Sequence, residues 1–121
     1  MATDPATFYE TWPGTMNDMK ARAPEIGRAF APFFKELMKD GALPNKQKEL
    51  VALGIAVAMR CEPCIFSHVE KCVKAGWTPT ELMEGAGVAV MMGGGPAYTT
   101  APLVAAALSH FEGTPATVGR A

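Results

Sequence analysis

Apolar residues in this chain recur mostly three and four apart, the spacing of one face of an α-helix, and no useful stretch alternates as a strand would. Near the start, Phe8, Trp12, Met16 and Met19 follow one another at intervals of four, four and three. Pro13-Gly14 interrupts this stripe. It predicts two short helices or one broken helix, forming a helical N-terminal arm over residues 1–23. Pro24 opens a second segment in which Ile26, Phe30, Phe33, Phe34, Leu37 and Met38 repeat at helical spacing. Pro32 inside it predicts a kink or a fresh start, and Asp40-Gly41 closes it. A third helix begins around Leu43-Pro44-Asn45, with either Asn45 as its cap or Pro44 as its first residue. Leu50, Val51, Leu53, Ile55, Val57 and Met59 nearly encircle that helix, which predicts a central, buried element.

A fourth helix runs from Cys61 to about Ala75, with Gly76 as a left-handed cap and Trp77 folding back on the last turn. Thr78-Pro79-Thr80-Glu81 is a capping box with proline at the first helical position, a strong start signal. The helix it opens carries Leu82, Met83, Val88, Val90 and Met91, until Met92-Gly93-Gly94-Gly95-Pro96 breaks it. An alanine-rich helix from about Pro96 to Phe111 follows, with Pro102 inside it, and residues 113–121 read as a flexible tail. The pattern predicts an all-α fold, with residues 1–121 as a single domain.

At 121 residues the chain supports one hydrophobic core, and its 49% apolar content argues against disorder. A net charge of −1 without a basic stripe gives no footprint for nucleic acid. Met1-Ala2-Thr3-Asp4-Pro5 lacks the basic-then-apolar order of a signal peptide. The longest apolar run, Leu50 to Met59, is far short of the roughly 20 residues of a membrane span, so no membrane association is expected. Three cysteines, two of them in a C-x-x-C, fit a soluble cytoplasmic protein better than a secreted disulfide scaffold.

The chemistry concentrates in Cys61-Glu62-Pro63-Cys64-Ile65-Phe66-Ser67-His68. If the stretch is helical, Cys61, Cys64 and His68 fall at i, i+3 and i+7, on one face. Two thiols three apart are within disulfide reach, and Pro63 suits a first turn, so the thiols lie where the helix dipole favours thiolate. This composition points to thiol–disulfide redox. Zinc is the competitor, because Cys61, Cys64, His68 and Cys72 are all ligand types. Cys61 to Cys72 spans about 16 Å of helix, too far for one tetrahedral site, although three ligands completed by Glu49 remain an alternative. Cys72 reads as a core or interface thiol, and His110 as structural or exposed. A carboxylate on the preceding helix would orient His68; spacing alone does not prefer Glu49 over Glu62 or Glu70. Gly93-Gly94-Gly95 has neither the lysine nor the strand of a phosphate loop.

With these residues in view, the chain resembles the carboxymuconolactone decarboxylase and alkylhydroperoxidase D-like (AhpD-like) superfamily. The resemblance is carried by Lys48-Glu49-Leu50-Val51-Ala52-Leu53 and the Cys61–His68 stretch. It continues through Ala75-Gly76, Thr80-Glu81-Leu82 and Met91-Met92-Gly93-Gly94-Gly95-Pro96-Ala97. It implies an all-α helical bundle that assembles into homo-trimers or hexamers. It also implies a thiol-dependent peroxidase or disulfide reductase without cofactor or metal, acting on a small hydroperoxide and reset by an external dithiol or thiol. By this resemblance Cys64 attacks the peroxide, Cys61 is its resolving partner, and His68 with Glu49 relays the proton. Alkylhydroperoxidase D has a further histidine just before the second cysteine, where this chain has Pro63, which implies a simpler relay. The decarboxylase branch lacks the cysteine pair, so lactone decarboxylation is not expected. The alternative from another class is a non-enzymatic zinc-binding or redox-sensing assembly protein using the same residues.

Overall fold

A computed structural model describes residues 4–112. Seven helices and no strand occur among them: α1 (Pro5–Arg22), α2 (Pro24–Met38), α3 (Asn45–Ala58), α4 (Glu62–Lys74), α5 (Pro79–Gly93), α6 (Gly95–Thr100) and α7 (Pro102–Phe111). The all-α expectation holds. The tail expected at residues 113–121 lies outside the described residues.

The core is built by α3, α4, α5 and α7. Leu53 and Val57 of α3, Ile65, Phe66 and Val69 of α4, Leu82 of α5 and Val104 of α7 are all fully buried. Close approach of α3 and α5 depends on glycine: a Cβ at Gly85 would sit 2.9 Å from Leu50 Cδ1. Helix α1 is one unbroken helix, not the broken pair that Pro13 predicted, and α2 likewise runs through Pro32. Both prolines are exposed. The C-terminal segment does divide at proline, where Pro102 opens α7. The start of α3 follows neither alternative: Pro44 occupies the N-cap position without a side-chain bond, and Asn45 is the first helical residue.

Helix α1 is anchored by Phe8, which is buried, stacks on Trp12 at 4.9 Å and meets Phe66 edge-on at 5.2 Å. The Tyr9 hydroxyl donates to the Phe66 carbonyl, tying α1 to α4. Helix α2 is different: it buries no residue, and Ile26, Phe30, Phe33 and Leu37 are all about half exposed. Its C-terminus is held by α3, since Lys48 Nζ donates to the carbonyls of Leu37 and Lys39 at 2.9 and 2.7 Å. Helix α3 is buried on one side only. Val51, Ile55 and Met59 are exposed, contrary to the expectation of an encircled helix.

Candidate functional site

Helix α3 ends in a Schellman turn, with Arg60 N–H bonded to Val57 O at 3.1 Å and Cys61 N–H to Ala56 O at 3.0 Å. The left-handed position is taken by Arg60, at φ 57°, not by glycine. The tight reversal makes Cys61 at once the end of α3's turn and the N-cap of α4. Its sulfur accepts the backbone N–H of Cys64 at 3.3 Å, as a capping oxygen would. Cys61 and Cys64 are disulfide-bonded, with Cα atoms 5.2 Å apart, inside the range the bond requires. Cys64 is exposed and Cys61 half-buried. Pro63 sits in the first turn, where it removes no helical hydrogen bond.

One turn beyond Cys64, His68 Nδ1 lies 2.8 Å from Glu49 Oε1. Only 6% of the Glu49 side chain is exposed, against 15% of His68. A carboxylate can only accept, so Nδ1 is the donor of this contact, and in the neutral imidazole the lone pair falls on Nε2. The other carboxylate oxygen, Oε2, accepts from Asn45 Nδ2 at 3.4 Å, and the same amide donates to Met38 O at 2.7 Å. The C-terminal end of α2 is thereby coupled to the carboxylate. Asn45 escaped the sequence reading as a member of this set; its position four residues before Glu49 on one helix face was the available signal.

Cys72 lies one turn beyond His68, fully buried. Its thiol is pushed up to about 12, first by burial and then by the charge of Glu49. That keeps it protonated and unreactive, in line with a core thiol. His110 is exposed and stacks on Tyr9 at 5.0 Å, away from the cysteines. Trp77 folds back as expected, its backbone N–H bonding to Cys72 O at 3.1 Å, and it also reaches across, its indole N–H donating to Lys46 O on α3 at 2.8 Å. Among the described residues, no three His, Cys, Asp or Glu side chains converge to hold a metal ion.

A cavity of about 650 Å³ opens beside the pair, between α1, α2 and α4. Trp12 and Met16 form one wall, Phe30 and Phe34 another, and Cys64 and His68 lie on the third. Cys61 does not line it, so Cys64 is the member of the pair that borders the cavity. The arrangement offers a disulfide whose Cys64 borders a largely apolar groove, and an oriented imidazole one turn away.

The four residues singled out in the sequence therefore come together in two adjoining pairs. Besides Asn45, sequence reasoning missed the groove, because its walls come from three helices.

Comparison with known proteins gives the same frame. A profile of the carboxymuconolactone decarboxylase family matches residues 24–107. An uncharacterised protein of Cupriavidus necator is 32% identical over 109 residues, covering 78% of this chain and 94% of its own length. An uncharacterised cox-locus protein of Paracoccus denitrificans is 35% identical over 88 residues, covering 73% of this chain and 79% of its own. The crystal structure of an apo carboxymuconolactone decarboxylase family protein of Legionella pneumophila superposes with a TM-score of 0.83 at 34% identity, covering 91% of this chain and 98% of that one. With the match spanning α2 to α7 and the fold shared over nearly the whole length of the Legionella protein, this chain belongs to the carboxymuconolactone decarboxylase family.

Proposed function

We propose that this protein is a thiol-dependent peroxidase of the alkylhydroperoxidase type, able to act as a disulfide reductase with the same pair. The observation that carries the reading is the Cys61–Cys64 disulfide at the N-terminus of α4, with Cys64 facing the groove and His68 held by Glu49 one turn away. A relative adds weight: a carboxymuconolactone decarboxylase family protein of Thermotoga maritima, 25% identical with a TM-score of 0.76, has been put forward for a role in antioxidative response.

In the reduced protein, His68 Nε2 accepts the Cys64 proton, directly or through one water, and the helix N-terminus stabilises the thiolate. The sulfur bonds to the terminal peroxide oxygen, the O–O bond breaks, and the alkoxide leaves as the alcohol with the proton from His68. Cys64 is now a sulfenic acid. The Cys61 thiol attacks that sulfur, the S–O bond breaks, water departs, and the disulfide forms. An external dithiol restores both thiols by two exchange steps, supplying the two electrons the peroxide consumed. Glu49 stabilises the imidazolium that forms in between.

We further infer that the chain works as a homo-oligomer in a reducing compartment, trimeric or hexameric, because exposed apolar side chains crowd α3 and α5. The function is tested by following hydroperoxide loss with dithiothreitol as reductant. Steady turnover by the wild type, none by Cys64→Ser or Cys61→Ser, and near-normal turnover by Cys72→Ser are expected. Turnover by Cys64→Ser would overturn the reading.

A further inference from the structure

The groove beside Cys64 carries a charge that the redox pair does not use. Lys71 follows Cys64 by seven residues on α4, which places it on the same face, two turns along, about 10 Å away in the axis direction. Ser67 and His68 occupy the turn between them, and all four line the groove. Lys71 is half-buried, and its ammonium lies 4.6 Å from the centre of the Phe34 ring on α2. The cation–π contact aims the charge at the groove. Lys74 of the same helix is paired with Glu70 at 3.3 Å, whereas Lys71 has no carboxylate partner among the described residues. Lys20 of α1 stands at the same groove, also without one. No aspartate or glutamate lines the groove, and most of the remaining wall is apolar, from Met16, Met19, Ile26 and Phe30.

The volume, about 650 Å³, is that of a small-molecule site. Hydrogen peroxide would leave its apolar walls unused and its ammonium groups unanswered. A ligand with an apolar body and an anionic end would cover the first and neutralise the second. Resting on the peroxidase reading, we propose that the groove takes an amphipathic carboxylate, presented for reaction as its organic hydroperoxide, with Lys71 reading the carboxylate. A fatty-acid hydroperoxide is the chemical class. Its peroxide lies at Cys64, its chain runs along Phe30 and Met16, and its carboxylate reaches the Lys71 ammonium. The thiolate bonds to the terminal peroxide oxygen, the O–O bond breaks, and the hydroxy acid leaves with the proton His68 had taken. Lys71 sets specificity and takes no part in the bond changes.

Binding is measured first, by calorimetric titration of the disulfide form with laurate and with methyl laurate below micellar concentrations. Laurate should bind at least tenfold tighter than the ester. Lys71→Met, which keeps an apolar stem against Phe34, should bring the two within about twofold. Lys71→Arg should preserve the preference, as should Lys74→Met. The second readout is the ratio of kcat/KM for a fatty-acid hydroperoxide to that for its methyl ester, which should fall by the same factor in Lys71→Met. No binding of laurate, equal binding of acid and ester by the wild type, or an unchanged ratio in Lys71→Met would overturn the assignment. Selective laurate binding without turnover of any hydroperoxide would overturn the peroxidase reading and leave the groove's ligand class standing.

Discussion

Glu49 is a carboxylate with 6% of its side chain exposed, and both of its oxygens are committed, one to His68 and one to Asn45. Such a group holds an imidazole in one tautomer far better than a solvated acid does. An unassisted thiol with a pKa near 8.5 is only a few per cent thiolate at pH 7, so complete assistance is worth at most about thirtyfold in thiolate. Glu49→Gln and His68→Ala should each slow alkylation of reduced Cys64 by iodoacetamide by roughly tenfold at pH 7, with the deficit closing towards pH 9. The double variant should be little slower than either single one, because the two residues act as a unit. Equal alkylation rates across that range would make the pair structural. Cys72 gives a separate pH test. Burial and the charge of Glu49 push its thiol up to about 12 in the folded protein, above the free value, so the unfolded chain loses this proton first. The contribution to stability is whole below about pH 8.5 and falls above it by about 1.4 kcal/mol per pH unit. Denaturant titrations between pH 8 and 10.5 should show a steeper alkaline loss for the wild type than for Cys72→Ala. Of the site, the cysteine spacing and the histidine were legible in the sequence. The choice of Glu49 rested on family resemblance, because a carboxylate's partner across two helices leaves no local signature.

Helix ends are what put these residues in register. Helices α3 and α4 both finish in Schellman turns, the first on Arg60 at φ 57° and the second on Gly76 at φ 100°. Glycine at the second made it legible; arginine at the first hid the turn that aims Cys61 at the start of α4. The capping box at Thr78 was equally plain and is formed in full, with Thr78 Oγ1 accepting from Glu81 N–H at 3.2 Å and Glu81 Oε1 accepting from Thr78 N–H at 2.9 Å. Thr78→Ala should cost about 1 kcal/mol in chemical denaturation and leave the cysteine chemistry intact. Prolines misled in the other direction. Pro13 predicted a break and Pro32 a kink or a fresh start, yet both sit exposed inside continuous helices, whereas Pro102 does open a new one. Whether a proline ends a helix depends on what surrounds the carbonyl it strands, which is decided by packing. The exposure of Val51, Ile55 and Met59 was beyond the sequence for a similar reason: a pattern shows that a residue is apolar but not which surface will cover it.

At the scale of the whole molecule, that uncovered surface is the clearest feature. Val51 and Ile55 on α3, Met59 at its C-cap, and Val88, Met91 and Met92 on α5 are between about half and three-quarters exposed, the apolar surface on which the proposed oligomer rests. Light scattering should show an oligomer at micromolar concentration. Ile55→Glu, a half-exposed site that a lone chain would tolerate within about 0.5 kcal/mol, should dissociate it. A monomeric wild type would remove the inference. The groove between α1, α2 and α4 brings the same lesson to the site, since three helices that share no local motif make the surface that Cys64 lines. The central claim is that Cys64 is oxidised by a hydroperoxide and Cys61 resolves it. Its most direct measurement is intact mass and peptide mapping of reduced Cys61→Ser after one equivalent of cumene hydroperoxide with dimedone present. The account predicts a single dimedone adduct, on Cys64, while the wild type closes its disulfide and traps none. An adduct elsewhere, or an untouched Cys64 in a protein that is otherwise folded, would contradict it.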